Sequence, residues 1–181
     1  IIGVDRLDYI KGMPHKLLAT EKLLKTHPEW RDKVILIQIG VPSRTGVEEY
    51  QHLASRVNQL TGRINGTYGT LQHMPIHYIN QSVKPHELAA LYNIADVCFV
   101  SSIRDGMNLV SHEYVACQQQ PCAHRDGPGV LVLSEFAGSA QSLSWLIYDN
   151  LVNEEVILFG SAAATSIMTI IGIAIILTPV L

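Results

Sequence analysis

The feature that most constrains this chain is a regular alternation of two kinds of segment. Short apolar runs occur at Ile1–Val4, Val34–Val41, Ile76–Ile79, Val97–Val100, Val130–Leu133 and Leu146–Tyr148, and longer segments of helical period lie between them. Several runs are rich in Val and Ile and apolar on both faces, as strands covered by helices on each side are. Among the helical segments, His15–Lys25 carries Leu17, Leu18 and Leu24. Gly46–Ile64 sets Val47, Tyr50, Ala54, Val57, Leu60 and Ile64 on one stripe, with Thr45 and Glu48 spaced as a capping box. Pro85–Ala95 groups Leu88, Leu91, Tyr92 and Ala95, and Met107–Gln118 forms the fourth. Strands alternating with helices predict βαβ units: an α/β fold with a parallel sheet, right-handed crossovers and helices on both faces. Gln119–Gly129, with two prolines and two glycines, reads as a surface loop.

In open sheets of this kind ligands bind beyond the carboxyl ends of the strands, so the polar residues there are the candidates for function. After the first run, Arg6 and Lys11 stand five residues apart in a loop bounded by glycines. Two cations so placed suit a diphosphate and can neutralise a departing anion without a metal; alternatively they are surface cations paired with Asp5 and Asp8. After the second run, Arg44 can clamp a phosphate in bidentate fashion, or it is a solvated arginine at a helix start. After the fourth, Asp105, Gly106, Met107, Asn108, Leu109 and Val110 form a turn and a first helical turn whose free N–H groups can receive anionic or hydroxyl oxygens. Glu113 follows on that helix, where a carboxylate can accept from both hydroxyls of a ribose. The alternative is that Asp105 or Asn108 is an N-cap and Glu113 lies on a solvated face. Glu135–Ala140 repeats the strand-to-helix geometry and reads as close packing through Gly138 and Ala140.

Other classes are disfavoured. Thirteen Lys and Arg against sixteen Asp and Glu give a net charge of −3 with no basic cluster, so no nucleic-acid partner is expected. The spacing of Cys117, Cys122 and His124 fits no common zinc pattern, and no metal or cofactor is implied. Neither a G-x-G-x-x-G fingerprint, a Walker lysine loop nor a G-x-S-x-G elbow is present. Three irregularly spaced cysteines suit a reducing cytoplasmic setting.

Taken together, VDRLDYIKG, GVPSR, NGTYGT with PIHYINQSV, ADVCFVSSIRDGMNLVSHEYVACQ and GVLVLSEFAGSAQSL resemble the C-terminal half of the trehalose-6-phosphate synthases, retaining glycosyltransferases of family 20 and GT-B type. The resemblance covers about residues 1–144. It implies a Rossmann-like nucleotide-sugar-binding domain over residues 1–150 and transfer of glucose from UDP-glucose to glucose 6-phosphate, giving trehalose 6-phosphate and UDP. By matching positions, Arg6 and Lys11 would bind the donor diphosphate and stabilise departing UDP. Asp105 would hold sugar hydroxyls, and Gly106, Met107, Asn108, Leu109 and Val110 the glucose and diphosphate. Glu113 would hold the ribose, Arg44 the acceptor phosphate, and the loop near Val83 the uracil. Attack on the face that the leaving group vacates needs no protein nucleophile, and none is apparent.

Three departures from the family pattern set further expectations. The chain opens without Met inside an apparent strand, which reads as a fragment lacking the N-terminal GT-B domain, inefficient in transfer by itself. QQQPCAHRDGPG differs from the family's loop. After Glu155 no charged residue occurs, so residues 151–181 read as an atypical apolar tail. An alternative is therefore a non-catalytic nucleotide-sugar-binding or regulatory module, tethered to a membrane by that tail. The lack of flanking Lys/Arg clusters or an aromatic belt counts against membrane contact.

Overall fold

A computed structural model describes residues 1–43, 47–106, 108–119, 122–123, 127–134, 137 and 157–158. Six strands, β1 (Ile2–Arg6), β2 (Leu36–Val41), β3 (Ile76–Ile79), β4 (Val97–Val100), β5 (Val130–Leu133) and β6 (Ile157–Leu158), form one sheet in the order β3-β2-β1-β4-β5-β6. Every neighbouring pair is parallel. Among the described residues four α-helices link β1 to β5 in turn: α1 (Met13–Thr26), α2 (Glu48–Tyr68), α3 (Pro85–Ile94) and α4 (Leu109–Gln118). The α/β parallel architecture expected from the alternation is the one observed.

Three strands coincide with their apolar runs, and the differences elsewhere have local causes. β1 continues through Asp5 and Arg6 because these residues pair with Gly40 and Val41 of β2. β2 begins at Leu36 because Pro28–Trp30 forms a 3-10 turn and the Val34 N–H bonds back to the Trp30 carbonyl. Pro14 sits in the first turn of α1, where its missing N–H costs nothing, and the helix starts two residues before the expected position. The expected capping box at Thr45 and Glu48 is not the start of α2: the N-cap is Val47, with no side-chain bond. At its other end α2 runs past Ile64, and the Asn65 amide grips the start of β3. It donates to the Ile76 carbonyl (2.8 Å) and accepts from the Ile76 N–H (3.0 Å). The run Leu146–Tyr148 and the residues Gly138 and Ala140 lie outside the described residues. β6 arises within the apolar tail, where the sequence signals no strand; otherwise the tail lies outside the described residues.

The core occupies both faces of the sheet. On one, Ile2, Val4, Ile39, Tyr92, Cys98, Val100, Tyr114 and Leu131 pack together. A second cluster joins α1 and α2 through Met13, Leu17, Leu24, Leu53, Val57 and Ile64, with Leu36 and Ile76 of the sheet. Burial pushes the Cys98 thiol up to about 12, which makes it an inert core residue.

One buried group contradicts the amphipathic reading of α1. Lys16 is wholly buried, and its ammonium donates to Asp5 Oδ2 at 2.7 Å, with both side chains at most 1% exposed. Gln38 Nε2 donates to the same oxygen at 3.0 Å, and Lys16 lies over the Phe99 ring. A Cβ on Gly3 would strike the Gln38 amide oxygen and the Lys16 ammonium, so this network occupies the volume that a side chain there would need.

Lys16→Met should destabilise the fold by about 3–5 kcal/mol, because it strands a buried carboxylate. Adding Asp5→Asn should restore much of the loss, and urea denaturation of the single and double variants measures both.

Candidate functional site

The strand order reverses direction between β1 and β4, the switch point beyond which open sheets bind their ligands, and the loops that leave the carboxyl ends of these two strands meet there. The first loop, Leu7–Gly12, is held by the Leu7 N–H on the Val41 carbonyl (2.8 Å). Asp8 caps its 3-10 turn, Tyr9–Lys11, by accepting from the Ile10 N–H. Gly12 closes the turn in the left-handed region (φ 66°), which favours glycine. A Cβ there would also overlap the Ser101 carbonyl oxygen.

That close approach fastens the two loops together. Ser101 Oγ donates to the carbonyls of Lys11 and Gly12 (3.2 Å each), and the Ile103 N–H donates to the Ile10 carbonyl at 2.7 Å. Across this seam Lys11 Nζ meets Asp105 Oδ2 at 2.6 Å, both side chains largely buried.

Asp105 uses its oxygens unequally. Oδ2 receives Lys11, Ser102 Oγ (3.3 Å) and Asn108 Nδ2 (3.0 Å). Oδ1 has no hydrogen bond from any described residue. Burial pushes the carboxyl pKa up, but the bonds from Lys11 and Asn108 outweigh it and hold the group below the ordinary carboxylate range. Asn108 is the N-cap of α4, its Oδ1 accepting the Ser111 N–H at 3.1 Å. One amide thus starts the helix and aims the carboxylate, which resolves the choice between Asp105 and Asn108. The helix begins at Leu109, two residues later than expected, because Asn108 is in extended conformation. The N–H groups of Leu109 and Val110 have no partner within the helix. Gly106 is exposed, with open space where its Cβ would stand.

Arg6 is exposed at the end of β1, with no side-chain hydrogen bond or ion pair to any described residue. Pairing of Arg6 and Lys11 with Asp5 and Asp8 does not occur: Asp5 serves Lys16 and Gln38, and Asp8 serves its turn. Glu113 is exposed but not bare, since its Oε2 accepts the Tyr92 hydroxyl at 3.2 Å. Val83 follows β3 at the same edge of the sheet and packs half-buried against the core. Arg44 and Met107 lie outside the described residues. The structure therefore brings Lys11, Asp105 and Asn108 into contact, with Arg6 at the same sheet edge. Sequence reasoning missed Ser101, Ser102 and Tyr92. The two serines follow a fully apolar strand, a polar step that could have marked them; nothing local marks Tyr92. Among the described residues no group of three or more His, Cys, Asp or Glu could hold a metal, and no helix is long and apolar enough to cross a membrane.

The ionised Asp105 contributes stability above the ordinary aspartate range, near pH 4, and that contribution is lost as pH falls through its lowered native value. The stability gap between the parent and Asp105→Asn should therefore shrink as pH drops below about 4, as read by denaturation across an acid series.

The chain matches glycosyltransferase family 20 over residues 1–153. It is 59% identical over 155 residues to the UDP-forming alpha,alpha-trehalose-phosphate synthase of Candida albicans, a match covering 86% of this chain and 31% of that one. It is 58% identical over 150 residues to the 56 kDa subunit of the Saccharomyces cerevisiae synthase, covering 83% and 29%. Among solved structures, one from E. coli bound with UDP-2-fluoro glucose superposes with a TM-score of 0.82 at 36% identity, over 97% of this chain and 36% of that one. A Burkholderia xenovorans synthase in complex with glucose-6-phosphate superposes with a TM-score of 0.76 at 38% identity, over 90% and 33%. The chain thus spans about a third of the length of the relatives it matches, and across that span it belongs to glycosyltransferase family 20.

Proposed function

We propose that this chain supplies the donor-binding half of a retaining glucosyltransferase. The enzyme transfers glucose from UDP-glucose to glucose 6-phosphate, releasing UDP and forming trehalose 6-phosphate. The observation that carries this reading is the convergence at the β1–β4 switch point. The loop bearing Lys11 is fastened to the loop bearing Asp105, Arg6 stands free of the described residues at the same edge, and the Leu109 and Val110 N–H groups have no partner within α4. The names of the curated relatives and the ligands of the two bacterial structures support the same donor and acceptor.

Arg6 and Lys11 bind the diphosphate and offset the charge that grows on UDP as the sugar bond breaks. The Leu109 and Val110 N–H groups share that load. Asp105 accepts sugar hydroxyls on Oδ1 while Lys11 and Asn108 fix Oδ2. Glu113 takes the ribose hydroxyls, Val83 contacts the uracil, and Arg44 reaches the acceptor phosphate. Attack occurs on the face UDP leaves, so the chain provides position and charge rather than a nucleophile. Its few, irregularly spaced cysteines, Cys98, Cys117 and Cys122, suit a cytoplasmic setting.

Each cation should contribute roughly 1.5–3 kcal/mol to phosphate binding. Arg6→Ala with Lys11→Ala should therefore weaken UDP binding on the order of a hundredfold or more by calorimetry. Unchanged affinity in a folded double variant would remove the diphosphate role.

A further inference from the structure

Helices α3 and α4 are clamped together by a polar set that the proposed reaction has not used. Gln118 Nε2 donates to the Tyr92 carbonyl, and Gln118 Oε1 accepts the Gly129 N–H at 2.7 Å. Asn93 Nδ2 donates to the Cys117 carbonyl at 3.2 Å. Tyr114 donates its hydroxyl to the Ala95 carbonyl at 3.0 Å, and its ring meets the Tyr92 ring edge-on at 6.2 Å. These contacts hold Tyr92 with 1% of its surface exposed, and its hydroxyl donates to Glu113 Oε2 at 3.2 Å.

We infer that Tyr92 is a positioning residue for the nucleoside subsite, fixing the rotamer of Glu113 so that Oε1 faces the ribose. This rests on the reading of Glu113 as the ribose ligand. A glutamate on an exposed helix face samples several rotamers, and ordering one on binding costs free energy. A hydroxyl anchored in the core holds one carboxylate oxygen beforehand and leaves the other for ligand. Burial, with the Glu113 carboxylate beside it, holds the Tyr92 phenol above its ordinary range, so it remains a donor at neutral pH. The residue touches no substrate; it acts through Glu113. A ligand without ribose hydroxyls gains nothing from the arrangement, so the role has a signature that packing alone lacks.

The test measures affinity for UDP and for 2′,3′-dideoxy-UDP in the full-length protein, comparing the parent, Tyr92→Phe, Glu113→Ala and the double variant. Phenylalanine keeps the ring contacts with Tyr114, and thermal melting checks that the fold is intact. Tyr92→Phe should weaken UDP binding roughly three- to tenfold, the scale of one net hydrogen bond, and leave the dideoxy ligand unchanged. It should add nothing once Glu113 is alanine. Equal weakening toward both ligands, or no weakening while Glu113→Ala erases the preference for UDP, overturns the positioning role and spares the ribose assignment. A Glu113→Ala variant that keeps the full preference for UDP overturns the ribose assignment and the positioning role with it.

Discussion

The contact between Lys11 and Asp105 organises the carboxyl edge of the sheet. It joins residues 94 positions apart at the one place where the sheet order reverses. Each loop has local holds of its own, such as Asp8 on the Ile10 N–H and Asn108 on the Ser111 N–H, and the contacts between the loops fix how they meet. The left-handed Gly12 is needed because the Ser101 carbonyl lies against it, and Ser101 stays there because its hydroxyl bonds the backbone of the first loop. The ion pair is shielded yet close to solvent, so its attraction is stronger than on a surface without the full desolvation cost of an interior pair. Asn108 links it to the register of α4. A shift of the helix would misdirect the carboxylate, and loss of the carboxylate would release the cap.

Division of labour within Asp105 follows from the same geometry. Three donors crowd Oδ2, which leaves Oδ1 as the oxygen able to meet an incoming group. Glu113 repeats the pattern with one donor, the Tyr92 hydroxyl. In both, a group fixed by the fold occupies one carboxylate oxygen, and the other has no hydrogen bond from any described residue. Charge and orientation are set before any ligand arrives, the form of preorganisation that lowers the cost of binding.

Much of this was legible in the sequence, for reasons that differ by element. β3, β4 and β5 match their apolar runs because such short, covered strands contain little else. β1 was read two residues short: its last residues, Asp5 and Arg6, are held by pairing with β2, and hydrophobicity does not report pairing. The polar residues after β1 and β4 stood out because they lie beyond the carboxyl ends of strands, where open sheets bind ligands. Lys16 was invisible, since a lysine on an amphipathic helix ordinarily marks the solvated face, and only its distant partner Asp5 makes burial tolerable. Tyr92 was hidden for a related reason: an aromatic in a helical stripe looks like core, and it is core except for one oxygen. β6 comprises two residues within a long uncharged run and carries no period of its own.

The cramped space at Gly3 bears on how such a sequence can diverge. Residues 3, 5, 16 and 38 share one filled volume. A side chain added at position 3 displaces an ammonium and an amide, and losing either charge strands the other. Single substitutions here should therefore cost stability, whereas a concerted replacement by apolar groups of equal volume need not. The four positions are therefore energetically coupled, whereas Gly106, in the loop after β4, has open space where a side chain would stand.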